Sequence, residues 1–249
     1  MAGPQTYSLH VGAVEHRSPS QTRVVLEGED LHRFPADFEG GYVKLLFPKP
    51  GVDPAEATPA QCTRRSMTVR AFDRGALTLD IARHDPGGPA MKWLNEAGVG
   101  TPIRIAGPGP VKRLNPKADA VVLVGDLAAL PALAVNLEKL PDTAEGHAYI
   151  EVPLSEDRQS LFHPPGVRLH WLTSNRENFE QPLVTAVEQM NWPEGTVSVW
   201  SATEFSVMKS LRTIFRDRGV QRENLYLSSY WKRDATDEEH KAAKATDAG

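Results

Sequence analysis

The sequence predicts an α/β protein in two parts: an antiparallel β-sandwich or barrel, then a parallel sheet covered by helices. Two observations predict it. Residues 6–110 carry short alternating apolar runs broken by Gly and Pro, and residues 120–228 alternate strand-length apolar runs with segments of helical spacing. In the first half the strands fall at 7–14, 23–27, 42–47, 66–72, 76–82 and 101–106. A helix at 90–97 interrupts them, and the Pro- and Ala-rich stretch 48–61 reads as a loop. The second half opens on a continuous apolar run at 120–124 that ends in Gly125-Asp126, followed by Leu130, Leu133, Ala134 and Leu137 at helical spacing. Strands at 148–152, 168–172, 197–200 and 224–228 alternate with helices at 181–190 and 204–218. The polar turn 115–119, with Pro116, marks the boundary and gives domains of 1–116 and 117–249. The charged, Ala-rich tail from 236 fits either a helix at 237–245 or a frayed end.

Composition bounds the function. The chain has 249 residues, 40% of them hydrophobic, which suffices for a sizeable core in each half. Twenty-eight basic against 32 acidic residues leave a net charge of -4, which argues against nucleic acid as a partner. The lone cysteine, Cys62, permits no internal disulfide and no cysteine-held zinc or iron–sulfur centre. The start, MAGPQTYSLHVG, lacks the basic and apolar pattern of a secretory signal, and no apolar stretch nears the roughly 20 residues of a membrane helix. A cytoplasmic protein without a membrane partner is the expectation. Eight histidines (His10, His16, His32, His84, His147, His163, His170, His240) are scattered without paired spacing and predict no metal site.

Three stretches carry chemistry. Arg65-Ser66-Met67-Thr68-Val69-Arg70 alternates along a strand, so Arg65, Met67 and Val69 share a face. An arginine there can fork onto a phosphate, and a threonine hydroxyl or main-chain N–H can bond a ring edge. The same residues also fit an exposed strand with solvated arginines. The stretch from His84 to Trp93 places Gly87-Gly88-Pro89 before a helix, whose first N–H groups suit an anion; an ordinary proline-initiated helix reads the same way. Val124-Gly125-Asp126 runs a buried strand into a helix with early Pro131, at the sheet edge where α/β proteins bind ligands. It is not a GxGxxG fingerprint.

Read in this order, the stretches resemble the siderophore-interacting protein family of ferredoxin–NADP reductase-like flavoenzymes. The likeness spans nearly the whole chain. It rests on the strand 65–70 with Phe72-Asp73 and on the H-x-x-G-G-P-A-x-x-W run at 84–93. Gly107-Pro108, GD-x-x-A-L-P-A at 125–132, Ile150-Glu151-Val152 and LYLSSYWK at 225–232 also contribute. The resemblance implies an antiparallel Greek-key β-barrel that binds FAD, then a parallel α/β nucleotide-binding domain. It implies that Arg65, Met67, Thr68 and Val69 line the flavin, and that His84, Gly88, Pro89, Ala90 and Trp93 hold the pyrophosphate and adenosine. Tyr230 and Trp231 would close over the ring, with Gly125, Asp126, Pro131 and Glu204 approaching a nicotinamide nucleotide. Two residues depart from the family pattern. Met67 stands where a tyrosine usually stacks on the flavin, and Thr203 stands where a glycine often precedes Glu204. A side chain at 203 would crowd a nicotinamide, which leaves NAD(P)H and ferredoxin both open as electron donors.

The implied reaction is reduction of siderophore-bound Fe(III) to Fe(II), with release of the iron. Hard oxygen ligands hold Fe(II) less well, so one electron frees the metal. FAD supplies that electron chemistry, and the outer-sphere step needs no catalytic acid or base. Ferric catecholates are anionic, so a basic pocket should capture them. The candidates are Lys44 and Lys49 from the barrel and Lys232, Arg233, Lys241 and Lys244 from the C-terminus, the last two sharing a helix face. Glu151 accepting a ribose hydroxyl would favour NADH, and Arg158 meeting a 2′-phosphate would favour NADPH. The alternatives are a flavin reductase serving another protein or free flavin, and a siderophore-binding module without turnover. No long exposed apolar stretch is evident, so a monomer is expected.

Overall fold

The computed structural model describes residues 5–54, 56–84, 87–174 and 181–247. By contacts the chain divides into two compact units, Met1–Val111 and Lys112–Gly249.

The first unit is one antiparallel sheet. Its strands are β1 (Thr6–Ser18), β2 (Gln21–Glu27), β3 (Tyr42–Pro48), β4 (Cys62–Thr68), β5 (Ala71–Asp73), β6 (Ala76–Ala82) and β7 (Pro102–Gly109). They hydrogen-bond in the order β4-β3-β7-β1-β2-β6-β5. The sheet curls into a half-barrel, bringing β4 towards β6, while β4 and β5 remain the ends of the ladder. Alternation gives the curled sheet its inner face: Tyr7, Leu9 and Val11 of β1, Val24 and Leu26 of β2 and Leu77, Leu79 and Ile81 of β6 all turn inward and are buried. Helix α1 (Pro89–Glu96) seals the open side with Ala90, Met91 and Leu94. The expected single strand at 66–72 is two strands, because the chain leaves the ladder at Val69. There its N–H donates to Gly41 O (2.9 Å) and its carbonyl accepts from Gly40 N–H (2.8 Å).

The second unit is a parallel sheet of β8 (Ala120–Asp126), β9 (Glu145–Val152), β10 (Gly166–Thr173), β11 (Val197–Glu204) and β12 (Leu225–Trp231), in the order β10-β9-β8-β11-β12. Every residue of β8 and of β11 is buried, as expected for central strands covered on both faces. Helices α2 (Leu130–Glu138), α3 (Pro182–Gln189) and α4 (Phe205–Asp217) flank the sheet, and α5 (Asp237–Asp247) rests on β12. Gly146 is needed where β9 passes β8: its φ is 142°, and a Cβ there would lie 2.0 Å from Val121 O. The order reverses between β8 and β11, because β8, the first strand of the unit in sequence, has β9 on one side and β11 on the other, and this creates a crevice at the carboxyl ends of β8 and β11. No helix among the described residues is long and apolar enough to cross a membrane.

Candidate functional site

The half-barrel presents an anion cradle between β4 and the start of α1. Gly88 is the N-cap of α1, Pro89 fills the first helical position, and no side chain caps the helix. The Arg65 guanidinium stands in front of that start, with Nη2 3.7 Å from where a Cβ on Gly88 would be. Its Nη1 donates to Arg64 O at 3.0 Å. Pro89 has no N–H, and Met91 and Lys92 N–H donate to Gly88 O (3.0 and 3.1 Å), so the Gly88 and Ala90 N–H groups are the ones that a phosphate beside the guanidinium would meet. One turn further, Trp93 packs against Phe47 with ring centroids 6.3 Å apart. Its indole Nε1 is buried without a hydrogen-bond partner, which points to an acceptor supplied from outside the chain.

The other barrel candidates divide by burial. Met67 is half-buried against the barrel core, and Thr68 is buried at the end of β4. Val69 and Ala90 turn their side chains into the core, so only their main chain could touch a ligand. His84 is exposed and borders a separate polar cavity of about 340 Å³ with Ser20, Arg83 and Asn95. Its motif neighbours Asp85 and Pro86 lie outside the described residues. Lys44 on β3 reaches over the Tyr42 ring (6.0 Å), and Lys49 is exposed in a turn fixed by its N–H to Gln61 O (3.0 Å).

In the α/β unit a cavity of about 430 Å³ opens at the topological switch point. Asp126, Glu151, Thr203, Glu204 and Trp231 come to it from the carboxyl ends of four strands, and Phe205, Lys232 and Arg233 complete its mouth. Asp126 Oδ1 accepts the N–H groups of Ala128 (3.0 Å) and Ala129 (3.3 Å), and its Oδ2 accepts the Trp231 indole N–H at 2.6 Å. Glu204 is the N-cap of α4. It accepts from Ser206 N–H (2.5 Å), the Ser206 hydroxyl, Val207 N–H (3.3 Å) and Arg233 N–H (3.1 Å). Burial alone would raise its pKa, but these donors outweigh it and hold the carboxyl below its ordinary value. Glu151 accepts the Ser174 hydroxyl at 2.6 Å.

Gly125 and Pro131 are not walls of this cavity. Gly125 lies beneath α2, where a Cβ would meet Ala129 and Leu133 at 3.2 Å, and Pro131 is buried inside the first turn of α2. Thr203 is fully buried, with its hydroxyl donated to Glu204 O at 3.2 Å. Tyr230 meets Trp200 edge-on at 6.5 Å. Burial of its hydroxyl, a hydrogen bond with Tyr226 and the nearby Asp126 push its pKa well up. At the C-terminus Lys241 pairs with Asp237, and Lys244 Nζ donates to Ser228 Oγ and Ser229 O, both at 3.0 Å.

Sequence reasoning missed Phe205, Ser206 and Gln181 as cavity residues. A carboxylate that ends a strand and immediately precedes a helix with Ser two residues on is the signal that could have found them, because it marks a cap at a ligand-binding sheet edge. It also treated the histidines as scattered, whereas β9 and β10 bring His147 Nδ1 within 3.0 Å of His170 Nε2. Among the described residues no group of three metal-ligating side chains forms.

Residues 10–112 match the siderophore-interacting FAD-binding domain model, and residues 118–234 match the siderophore-interacting protein model. An uncharacterised protein of Mycobacterium tuberculosis is 35% identical over 96% of this chain and 94% of its own. The ferric vibriobactin reductase ViuB of Vibrio cholerae is 30% identical over 89% of this chain and 87% of its own. The crystal structure of the siderophore-interacting protein SipS from Aeromonas hydrophila superposes with a TM-score of 0.87 at 33% identity, covering 98% of both chains. The fold extends to a ferredoxin reductase of carbazole 1,9a-dioxygenase, with a TM-score of 0.66 at 16% identity, 91% of this chain and 67% of that one. The chain belongs to the siderophore-interacting protein family, with FAD as its cofactor and a ferredoxin reductase-like fold.

Proposed function

We propose that this protein reduces Fe(III) held in anionic siderophores and releases Fe(II) inside the cell. The observation that carries the reading is the uncapped start of α1 facing Arg65, a phosphate cradle in the half of the chain that matches the siderophore-interacting FAD-binding domain. ViuB, a ferric vibriobactin reductase, supports the substrate class.

Arg65 and the first amides of α1 would hold the diphosphate of FAD, and the unpartnered Trp93 indole N–H would donate to the adenosine half. Bound FAD supplies the step from a two-electron donor to a one-electron acceptor. The residues of this chain bind and orient. Lys49 and Lys44 in the half-barrel, and Arg233, Lys241 and Lys244 in the α/β unit, provide positive charge for an anionic chelate. Reduction needs no protein proton donor, because ferrous iron leaves hard oxygen ligands on account of its lower charge. The switch-point cavity, with Asp126 and Glu204 at its base, is the candidate site for a nicotinamide donor. Ferredoxin is the other candidate donor, and Thr203, whose side chain is fully buried with its hydroxyl on Glu204 O, does not weigh against the nicotinamide.

The test is anaerobic. The FAD-loaded protein is photoreduced, and a ferric siderophore is added in the presence of a ferrous chelator. Rapid return of the oxidised flavin bands with coloured Fe(II) chelate supports the reading. A flavin that stays reduced with ferric catecholate and hydroxamate alike would sink it.

A further inference from the structure

Helix α5 is held by few contacts, and they converge. His240 is its single buried residue, 6% exposed. The imidazole Nε2 lies 2.8 Å from Ser229 Oγ on β12, and the ring meets Phe205 of α4 edge-on at 6.4 Å. One turn along, Lys244 Nζ donates to Ser228 Oγ and to Ser229 O. Strand β12 is an edge of the sheet, so Ser229 O takes from α5 a bond that no further strand supplies. Asp247 closes the far end on Arg212 at 2.5 Å.

This seating fixes one lysine and leaves the other loose. An ammonium has three donors. Two of those on Lys244 are spent on β12, and among the described residues the third has no partner. Its position is therefore set before any ligand arrives, whereas Lys241 is exposed and, among the described residues, pairs only with Asp237 on its own helix. Preorganised charge binds more strongly than charge on a mobile side chain.

We propose that His240 is the positioning residue of a C-terminal anion site. Through Ser229 it seats α5 on β12 and holds the Lys244 ammonium as the cation that the helix offers to an anionic iron chelate, with Lys241 at the rim. The assignment rests on the siderophore reading given above. The groups facing His240 are Ser229 from β12, Phe205 and the Glu204 cap from α4, and Lys244, Lys241 and Asp237 from its own helix. Burial first, and then Lys244, lower its pKa, so the neutral ring seats the helix. Seating is lost as pH falls below the ordinary imidazole value of 6.5 towards that lowered pKa.

Two experiments on the full FAD-loaded protein test this. In the first, the reduced protein is reoxidised by the trianionic iron(III) tris-catecholate complex, and half-saturation is measured separately from the limiting rate. K244M is expected to raise half-saturation about tenfold, the loss of one charged hydrogen bond, and K241M by less than about threefold. In the second, hydrogen exchange of α5 is followed without chelate at about pH 7.5 and about pH 5.5. Protection should fall several-fold in the wild type and stay level in H240Q, whose longer amide reaches the Nε2 position beside Ser229 but does not titrate. Wild-type reoxidation with unchanged half-saturation in K244M overturns the assignment of Lys244 alone. Equal α5 protection at both pH values in the wild type overturns the role of His240. No reoxidation of the wild type overturns the siderophore reading, and the assignment with it.

Discussion

Replacing Glu204 with alanine should destabilise the α/β unit by about 2–4 kcal/mol at neutral pH. Its carboxylate accepts two main-chain N–H groups at the start of α4, from Ser206 and Val207, and a third from Arg233 after β12. Loss of a helix cap costs about 1–2 kcal/mol. Stranding the Arg233 N–H adds about 1–3 kcal/mol, nearer the low end because the adjoining cavity admits water. The sign with pH follows from the lowered carboxyl pKa. A depressed pKa in the folded state adds stability that is present above the ordinary value of 4.5 and fades as pH falls through the folded-state value. The gap between wild type and E204A should therefore be full at neutral pH and narrow steadily below 4.5. Urea unfolding followed by tryptophan fluorescence measures it, since Trp171, Trp192, Trp200 and Trp231 all lie in this unit and only Trp93 does not. A gap below about 1 kcal/mol at neutral pH, or one of constant size down to acid pH, would refute the capping argument.

Further expectations concern the cradle and the sheet. Arg65→Ala should weaken FAD binding about tenfold to a hundredfold, read by flavin fluorescence, with little change in melting temperature. Gly88→Ala adds a Cβ at ordinary van der Waals distance from Arg65, so the fold should tolerate it while FAD affinity falls; full FAD affinity would place the phosphates elsewhere. Gly146→Ala forces a Cβ to 2.0 Å from Val121 O at a φ of 142°, and should destabilise the α/β unit by more than about 3 kcal/mol in the same urea assay.

The fold was legible wherever burial follows a period. Strand β6 falls at 76–82 as read, because Leu77, Leu79 and Ile81 alternate in sequence with Thr78 and Asp80, although Asp80 is buried too, on Arg23. The central run 120–124 announced a strand covered on both faces, and β8 is buried throughout. Strands β9 and β11 ran longer than the apolar pattern showed, since Glu145, His147, Ser201, Thr203 and Glu204 are polar. Their places in the sheet are set by neighbouring ladders rather than by their own side chains. The break at Val69 was hidden for a similar reason. The partners that pull it from the ladder, Gly40 and Gly41, lie far back in the sequence.

The candidate site was legible to a different depth in each unit. Around Arg65 and Gly88 the residue types state their chemistry directly, because a glycine-proline helix start and a forked cation suit a phosphate wherever they meet. In the α/β unit the residue types mislead by omission. Asp126 and Glu204 read as groups that approach a ligand, yet each spends its carboxylate on two N–H groups of the following turn and on one donor from the C-terminal segment, Trp231 or Arg233. They act first as fasteners that tie the end of β12 to the switch point. His240 shows the same effect more sharply. A lone histidine in a charged tail has no periodicity to mark it, and only the serine of an edge strand gives it a partner. Residues whose work is to hold another element in place take their meaning from that element, so they become visible only when the chain has folded.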